Sequence, residues 1–430
     1  MSEPSNERSP RILMLLENAG MPEDNRVLLE AQSLSDAGYQ VTVICPTGEA
    51  KAKYEMIGPI RIYRYPQTFE LEGFVGYIWE YSYSLTMLFF ISLYVFFRRG
   101  FDAVHVHTPP DMTALIAIFY QLLGKKFVFD LHDLSPELYL ARGGKTEPNA
   151  VYRVLRFFER LACRRANRLI ATNESQRTVQ IDRCGANPDD CYVVRNGPNR
   201  FFLADVQPLE ELRSPGKVIL GYVGEMGIQD GVDYMVRTVH ELKTVHHRDD
   251  FLAVIVGEGP AVDGLKSLIK ELDLTDQFNF TGVVPFADVP RHIASFDICF
   301  TPDPSNAYND SCTTIKTMEY MALRKPTVCF RTRENMLTAG ESALYADNND
   351  VSDLARVTLQ LMDDPELRKS LGDAARTRVE DGLTWAHQQV PLIKLYNGLF
   401  GIADSTSSDN VQGSKSLSTQ ENLANSTSAP

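Results

Sequence analysis

Short apolar runs rich in β-branched residues recur along this chain, each followed by a segment with helical spacing, and the series is run through twice. The first series is RILMLLE (11–17), YQVTVICP (39–46), FDAVHVHTPPD (101–111), KKFVFDLHD (125–133) and RLIATN (168–173). The second is VILGYVGEMG (218–227), FLAVIVGEGP (251–260), FNFTGVV (278–284), DICFTP (297–302), KPTVCFR (325–331) and SALYA (342–346). Strands alternating with helices at these lengths imply an α/β protein with doubly wound parallel sheets. The stretch LADVQPLEELRSPGK (203–217) has the proline and charge of a connection, so two Rossmann-like halves are expected, split near residue 210. At 430 residues the chain suits two domains plus tails.

Composition narrows the function. A net charge of −13 disfavours general nucleic-acid binding, because phosphate backbones repel such a surface. Seven cysteines without a Cys-x-x-Cys pair suggest reduced, buried thiols. The first residues, MSEPSNERSP, lack the basic-then-apolar pattern of a signal peptide, so a cytoplasmic protein is expected. Residues 1–10 read as a flexible start, and the Ser/Thr-rich 402–430 as a disordered tail.

Two segments raise the question of a membrane. Leu85–Phe97 is uncharged and ends at Arg98 and Arg99, but it is shorter than the roughly 20 residues of a spanning helix. A buried domain helix is the first reading and a shallow interfacial helix the second. The segment 151–168 carries six Arg against one Glu, with Arg153, Arg156, Arg160 and Arg164 at spacings of three, four and four. A solvated helix face explains such a stripe, and so does contact with anionic head groups.

Ligands of open parallel sheets bind beyond the carboxyl ends of the strands, so chemistry is sought in the strand-to-helix turns. In NDSCTTIKTMEYMALRKP (309–326), Ser311, Thr313 and Thr314 are N-cap types ahead of a helix. The first turn of a helix offers unpaired amides and a positive dipole end, which suits phosphate. Lys316 lies in that turn, where a cation is unfavourable unless an anion offsets it. Glu319 follows where a carboxylate could accept two hydroxyl hydrogen bonds, as from a ribose; a plain capped helix with exposed Glu and Lys is the alternative. VGEGPAVDG (256–264) is a tight turn rather than a dinucleotide fingerprint, since Val262 stands at the third small position. Gly224, Gly227 and Gly231 either admit a ligand or make the turn. DLHDLSPE ends a strand with His132, Asp133 and Glu137 together, where an imidazole beside carboxylates could orient a hydroxyl or hold a structural hydrogen bond. His105 and His107 point the same way from one strand, with Asp111 beyond. A metal there would need further ligands, which the sequence does not display, so no metal site is expected. Asp111 and Asp133 are the acceptor-side candidates.

With those turns in view, roughly 11–400 resembles a family 4 glycosyltransferase of the GT-B class. The likeness rests on PEDNRVLLEAQSLSDAGYQVTVICP, FDLHDLSPE, VVRNGP, GYVGEMGIQDGVD, GEGP, PDPSNAYNDSCTTIKTMEYMALRKPTV and DDPELRKSLGDAARTRVE, in that order. It implies two Rossmann-like domains facing a central cleft, here 11–205 for the acceptor and 206–382 for the nucleotide sugar, with 383–401 a helix returning to the first. It implies sugar transfer from a nucleoside diphosphate, UDP or GDP, with retention of configuration and no metal or other cofactor. Within it Glu319 holds the ribose, Ser311 to Thr314 meet the diphosphate, Gly20 and Gly224 lie near the phosphates, and His132 lies near the transferred sugar. Backbone around Val284 contacts the base. The acceptor implied is a lipid-linked or growing surface glycan of bacterial polysaccharide type, reached at the inner face of the cytoplasmic membrane.

The chain departs from the family pattern at three places. Ser311 stands where a first glutamate is usual, and Glu225 and Asp230 stand where basic residues neutralise the diphosphate. Lys316 and the helix start are expected to take over that neutralisation. A nucleotide-sugar epimerase of like architecture and a non-catalytic nucleotide- or glycan-binding homologue are the competing readings.

Overall fold

The structure is a computed structural model that describes residues 8–69, 73–144, 147–213 and 216–403. The expected flexible start and disordered tail therefore lie outside the described residues, apart from 8–10 and 402–403.

One sheet has eight strands: β1 (Arg11–Leu15), β2 (Gln40–Pro46), β3 (Tyr54–Ile57), β4 (Ile60–Tyr65), β5 (Ala103–His107), β6 (Lys126–Leu131), β7 (Arg168–Ala171) and β8 (Cys191–Val193). They lie in the order β3-β4-β2-β1-β5-β6-β7-β8. β1 pairs in parallel with β2 and β5, and β3 folds back antiparallel on β4. That hairpin is absent from the strands read from the sequence, although the alternation of IRIYRY and the Gly58-Pro59 turn are its signals.

The other sheet holds β9 (Val218–Val223), β10 (Phe251–Val256), β11 (Phe278–Gly282), β12 (Ile298–Thr301), β13 (Thr327–Phe330) and β14 (Ala343–Ala346). These are the six strands read from the second series. Their order, β11-β10-β9-β12-β13-β14, is all parallel and reverses between β9 and β12. Such a reversal opens a crevice at the carboxyl ends of the two central strands. Side chains alternate across it: Leu220 and Tyr222 enter one core, Ile219 and Val223 the other. Gly221 faces Phe296 so closely that a Cβ would fall 2.0 Å from its ring, which leaves room for glycine alone.

Two compact units organise the chain. The first comprises Met1–Asp130, Arg165–Leu169 and Val390–Pro430; the second comprises Leu131–Arg164 and Ile170–Gln389. In the first, helix α1 (Asn25–Asp36) starts on Asp24, whose side chain accepts from the Val27 amide, and it buries Val27, Ala31 and Leu34. The last helix, Trp385–Phe400, contributes Asn397, which accepts from the Tyr39 hydroxyl at 2.8 Å.

Helix α2 (Gly73–Arg98) differs from the first reading of Leu85–Phe97. Its stretch Trp79–Arg98 has a mean hydropathy of 1.3, yet only 22% of it is buried. The buried side carries Ser84, Leu88, Ser92 and Val95, while Trp79, Phe90, Tyr94 and Phe97 face outward. Ser92 finds a partner inward in the Tyr120 hydroxyl at 2.8 Å. The expectation of a buried domain helix fails because only a narrow side, Ser84, Leu88, Ser92 and Val95, packs inward while four aromatic rings stay exposed.

Candidate functional site

Four segments of the second unit meet at the crevice. They are the turn after β6, the segment Asn173–Gln176 after β7, the turn after β9, and the loop after β12 with the helix Ile315–Ala322 that follows it. The Tyr308 hydroxyl donates to Asp133 Oδ1 at 2.8 Å, which joins the first and last of them. Asn309 Nδ2 donates to the Gln229 carbonyl at 2.9 Å, joining the third and last. Asn173 Nδ2 reaches the Ser311 carbonyl and Thr313 Oγ1, each at 3.0 Å. Gln176 Nε2 donates to the His132 carbonyl at 2.9 Å and so fixes the backbone there.

Glycines let these turns approach. A Cβ on Gly257 would lie 2.1 Å from the Gly224 carbonyl oxygen, and one on Gly231, at φ +63°, 2.4 Å from that of Pro302. The glycines of VGEGP thus serve backbone packing, in keeping with their reading as a turn.

The helix Ile315–Ala322 begins at Thr314, whose side chain makes no capping hydrogen bond. Its hydroxyl lies 2.9 Å from Thr317 Oγ1, which in turn lies 3.0 Å from Thr301 Oγ1. Thr313 is buried, and its hydroxyl also donates to Glu334 Oε2 at 3.2 Å. Two of the three hydroxyls expected to meet a ligand are therefore occupied within the protein. What the helix start offers an anion is its amides.

Lys316 corrects the sequence reading more sharply. Its ammonium is not an uncommitted cation: it sits 3.2 Å from Asp230 Oδ1, Asp303 Oδ1 and the Tyr222 hydroxyl alike. Burial pushes the Asp303 carboxyl up to about 6 against the pull of Lys316. One cation between two carboxylates leaves a deficit of one positive charge. Asp303 and Tyr222 went unread, although DICFTP places Asp303 just past a strand end. Glu225 is exposed, and its carbonyl accepts from Tyr222.

Glu319 is half-buried on the second turn of this helix. Burial pushes its carboxyl up to about 7, with Lys316 the opposing charge. Among the described residues no donor opposes that shift with a hydrogen bond to the carboxylate. Val284 follows the edge strand β11 and is partly buried against the core.

Other expectations land elsewhere. Glu137 does not join His132 and Asp133 at the strand mouth. It is buried in a pair with Arg183 at 2.6 Å and accepts from the Tyr152 hydroxyl at 3.0 Å. Gly20 and Asp111 belong to the first unit, in the turns after β1 and β5, the strands at which that sheet reverses. A Cβ on Gly20 would fall 2.7 Å from the Gly48 amide nitrogen. His105 and His107 do point the same way, their rings stacked at 4.1 Å, and Glu30 and Asp130 lie beside them.

The family model described as Glycosyltransferase Family 4 matches residues 25–199, and that described as Glycosyl transferases group 1 matches 217–364. The chain belongs to glycosyltransferase family 4. It is a glycosyltransferase of the GT-B class. It is 26% identical over 307 residues to the 2-deoxystreptamine glucosyltransferase of Streptomyces kanamyceticus, covering 67% of this chain and 77% of that one. Sucrose-phosphate synthase from Thermosynechococcus elongatus shares the fold with a TM-score of 0.73 at 17% identity, over 92% of this chain and 100% of that one. The Anabaena protein HepE, in complex with UDP and glucose, matches with a TM-score of 0.68 at 14% identity, over 90% and 99%.

Proposed function

We propose that the second unit of this glycosyltransferase binds a nucleoside-diphosphate hexose or N-acetylhexosamine, with UDP or GDP as the leaving group, and transfers the sugar with retention. The observation that carries the reading is Glu319 standing behind an uncapped helix start at the sheet reversal. A carboxylate there accepts from the two ribose hydroxyls, and the amides of residues 313–316 donate to the diphosphate. The base lies along the backbone near Val284, and His132 orients a hydroxyl of the transferred sugar. In the transfer, the acceptor oxygen bonds to the anomeric carbon on the face from which the diphosphate leaves. The bonding pair departs with the diphosphate, whose phosphate oxygen takes the acceptor proton. Neither an enzyme nucleophile nor a metal ion enters this reaction. Asp133, on the same turn as His132, serves the acceptor.

The acceptor is a lipid-linked or growing surface glycan, met at the inner face of the cytoplasmic membrane. The outward aromatic face of α2, ending in Arg98 and Arg99, supports this location. So does helix α5 (Ala150–Arg165, counting α3 as Ala114–Gln121 and α4 as Ser135–Arg142), where Val154 and Phe157 are exposed beside Arg153 and Arg160.

A thermal-shift panel of nucleotide sugars tests the donor. A UDP or GDP sugar that raises the melting temperature of the wild type but not of Glu319→Gln supports the assignment. Equal shifts for both proteins remove Glu319 from the site. Flotation with vesicles containing anionic lipid tests the location, and a protein that never co-floats excludes it.

A further inference from the structure

We propose that the amino edge of the first sheet carries an arginine pocket that takes the phosphate of an anionic lipid head group. The cavity measures about 290 Å³, and Arg11, Gln40, Thr42, Arg61, Arg98 and Arg99 supply its polar side chains. All six belong to the first unit. They lie at the edge opposite the strand-to-helix turns that hold Gly20 and Asp111.

Strand register assembles the pocket. Arg11 opens β1 opposite Gln40 of β2, and Thr42, two residues on, stands opposite Arg61 of β4. Residues two apart on a strand share a face, so these four side chains lie on one side of the sheet. Helix α2 packs against β2 and β4 and brings Arg98 and Arg99 to the cavity at its end.

Charge states what the pocket takes. Its lining has four guanidiniums and no carboxylate, in a chain whose net charge is −13. Like charges around one cavity repel, and an anion between them offsets that cost. The nearby Asp102 pairs with Arg8 at 3.0 Å and lies 3.8 Å from Arg11 Nε. Among the described residues Arg61, Arg98 and Arg99 make no ion pair and no side-chain hydrogen bond. Two further donors are unspent. Arg11 Nε is buried without a hydrogen-bond partner among the described residues. Thr42 is 8% exposed, and its hydroxyl bonds to none of them. Guanidinium forks match phosphate oxygens, and a hydroxyl adds a donor to the same group.

The source of the phosphate follows from what adjoins the arginines. Phe97, next to Arg98, is 82% exposed and extends the outward face of Trp79, Phe90 and Tyr94. Rings in the acyl boundary beside cations at head-group depth are the composition of an interfacial helix. The lipid source thus rests on the membrane location proposed above, whereas the pocket's fit to phosphate does not.

The test is flotation of the full-length chain with vesicles of phosphatidylcholine, alone or mixed with phosphatidylglycerol. Phosphatidylglycerol should raise the bound fraction of the wild type. Arg61→Gln with Arg98→Gln should lower binding to the mixed vesicles about tenfold or more and leave binding to pure phosphatidylcholine unchanged. Arg98→Gln with Arg99→Gln, at exposed positions, should do the same and guards against a folding defect. Lys51→Gln with Lys53→Gln removes equal charge from exposed positions outside the pocket and should change binding by about twofold or less. Equal losses in the lysine and arginine pairs reduce the effect to net charge and overturn the pocket. Mixed-vesicle binding unchanged by the arginine pairs overturns it as well. Inorganic phosphate supplies the other arm. If it raises the melting temperature of the wild type but not of the arginine pairs, while phosphatidylglycerol adds nothing to flotation, the pocket takes a free anion and the lipid assignment is overturned. No flotation with either vesicle overturns that assignment together with the membrane location. The thermal shift given by a nucleotide sugar should be the same in the wild type and the arginine pairs, so the donor reading stands or falls separately.

Discussion

Glu17 and Glu319 are carboxyls at the carboxyl edges of two different sheets, and burial pushes each up to about 7. Their surroundings differ. Glu17 follows β1, is buried, takes a hydrogen bond from Ser84 of α2 and feels the charge of Glu80. Glu319 faces the ammonium of Lys316, which is already shared between Asp230 and Asp303. One carboxyl is satisfied by its own fold, and the other takes no hydrogen bond among the described residues, which is why we propose a ligand's hydroxyls as its partners. A displaced pKa alone therefore marks burial, and the set of partners decides which group is a binding site.

The largest effect expected from breaking this contrast comes from Lys316→Ala. It leaves Asp230 and Asp303 facing each other without a counter-ion, and removing one partner of a buried ion pair costs about 3–5 kcal/mol. Urea denaturation should show a loss of that order. Adding Asp230→Asn to it should recover part of the loss.

Next in size is Glu319→Gln. Two charged hydrogen bonds to a ribose, weakened to neutral ones, predict a fall of about 10- to 100-fold in donor affinity. Glu17→Gln should leave that affinity within about twofold, as measured by calorimetric titration.

The pH dependence is smaller. Both carboxyls have folded values near 7 against an unfolded 4.5, so the native state keeps protons that the unfolded chain has lost. Their neutral forms stabilise the fold most below about pH 4.5, and this contribution is lost as the pH rises through 7. Melting curves across that window should slope downward, with a shallower slope in Glu17→Gln. Bound donor should flatten the share belonging to Glu319 and leave that of Glu17 intact.

The smallest effect on the fold should come from Phe90→Ser with Phe97→Ser. These rings lie on the outward side of the helix whose inward side holds Glu17 through Ser84, so stability should change by about 0.5 kcal/mol or less. Vesicle flotation should nevertheless be lost.

Much of this was legible in the chain because it rests on local pattern. The six strands of the second sheet are short apolar runs, four of them closed by glycine or proline, and Glu319 stands at a fixed distance from the start of its helix. What escaped depends on pairing across long separations. Lys316 meets Asp230 from 86 residues away, and Arg26 meets Asp130 from 104. Glu137 sits beside His132 in sequence but turns to Arg183, since a helical first turn points side chains round its axis. Helix α2 was misread because apolar content states that a face must be covered, and only tertiary packing states by what.

The most direct measurement is a crystal structure of the protein soaked with UDP and with GDP. The account predicts a diphosphate lying on the amides of residues 313–316 with both ribose hydroxyls on Glu319. Nucleotide density elsewhere, with that helix start closed by neighbouring side chains, would contradict it.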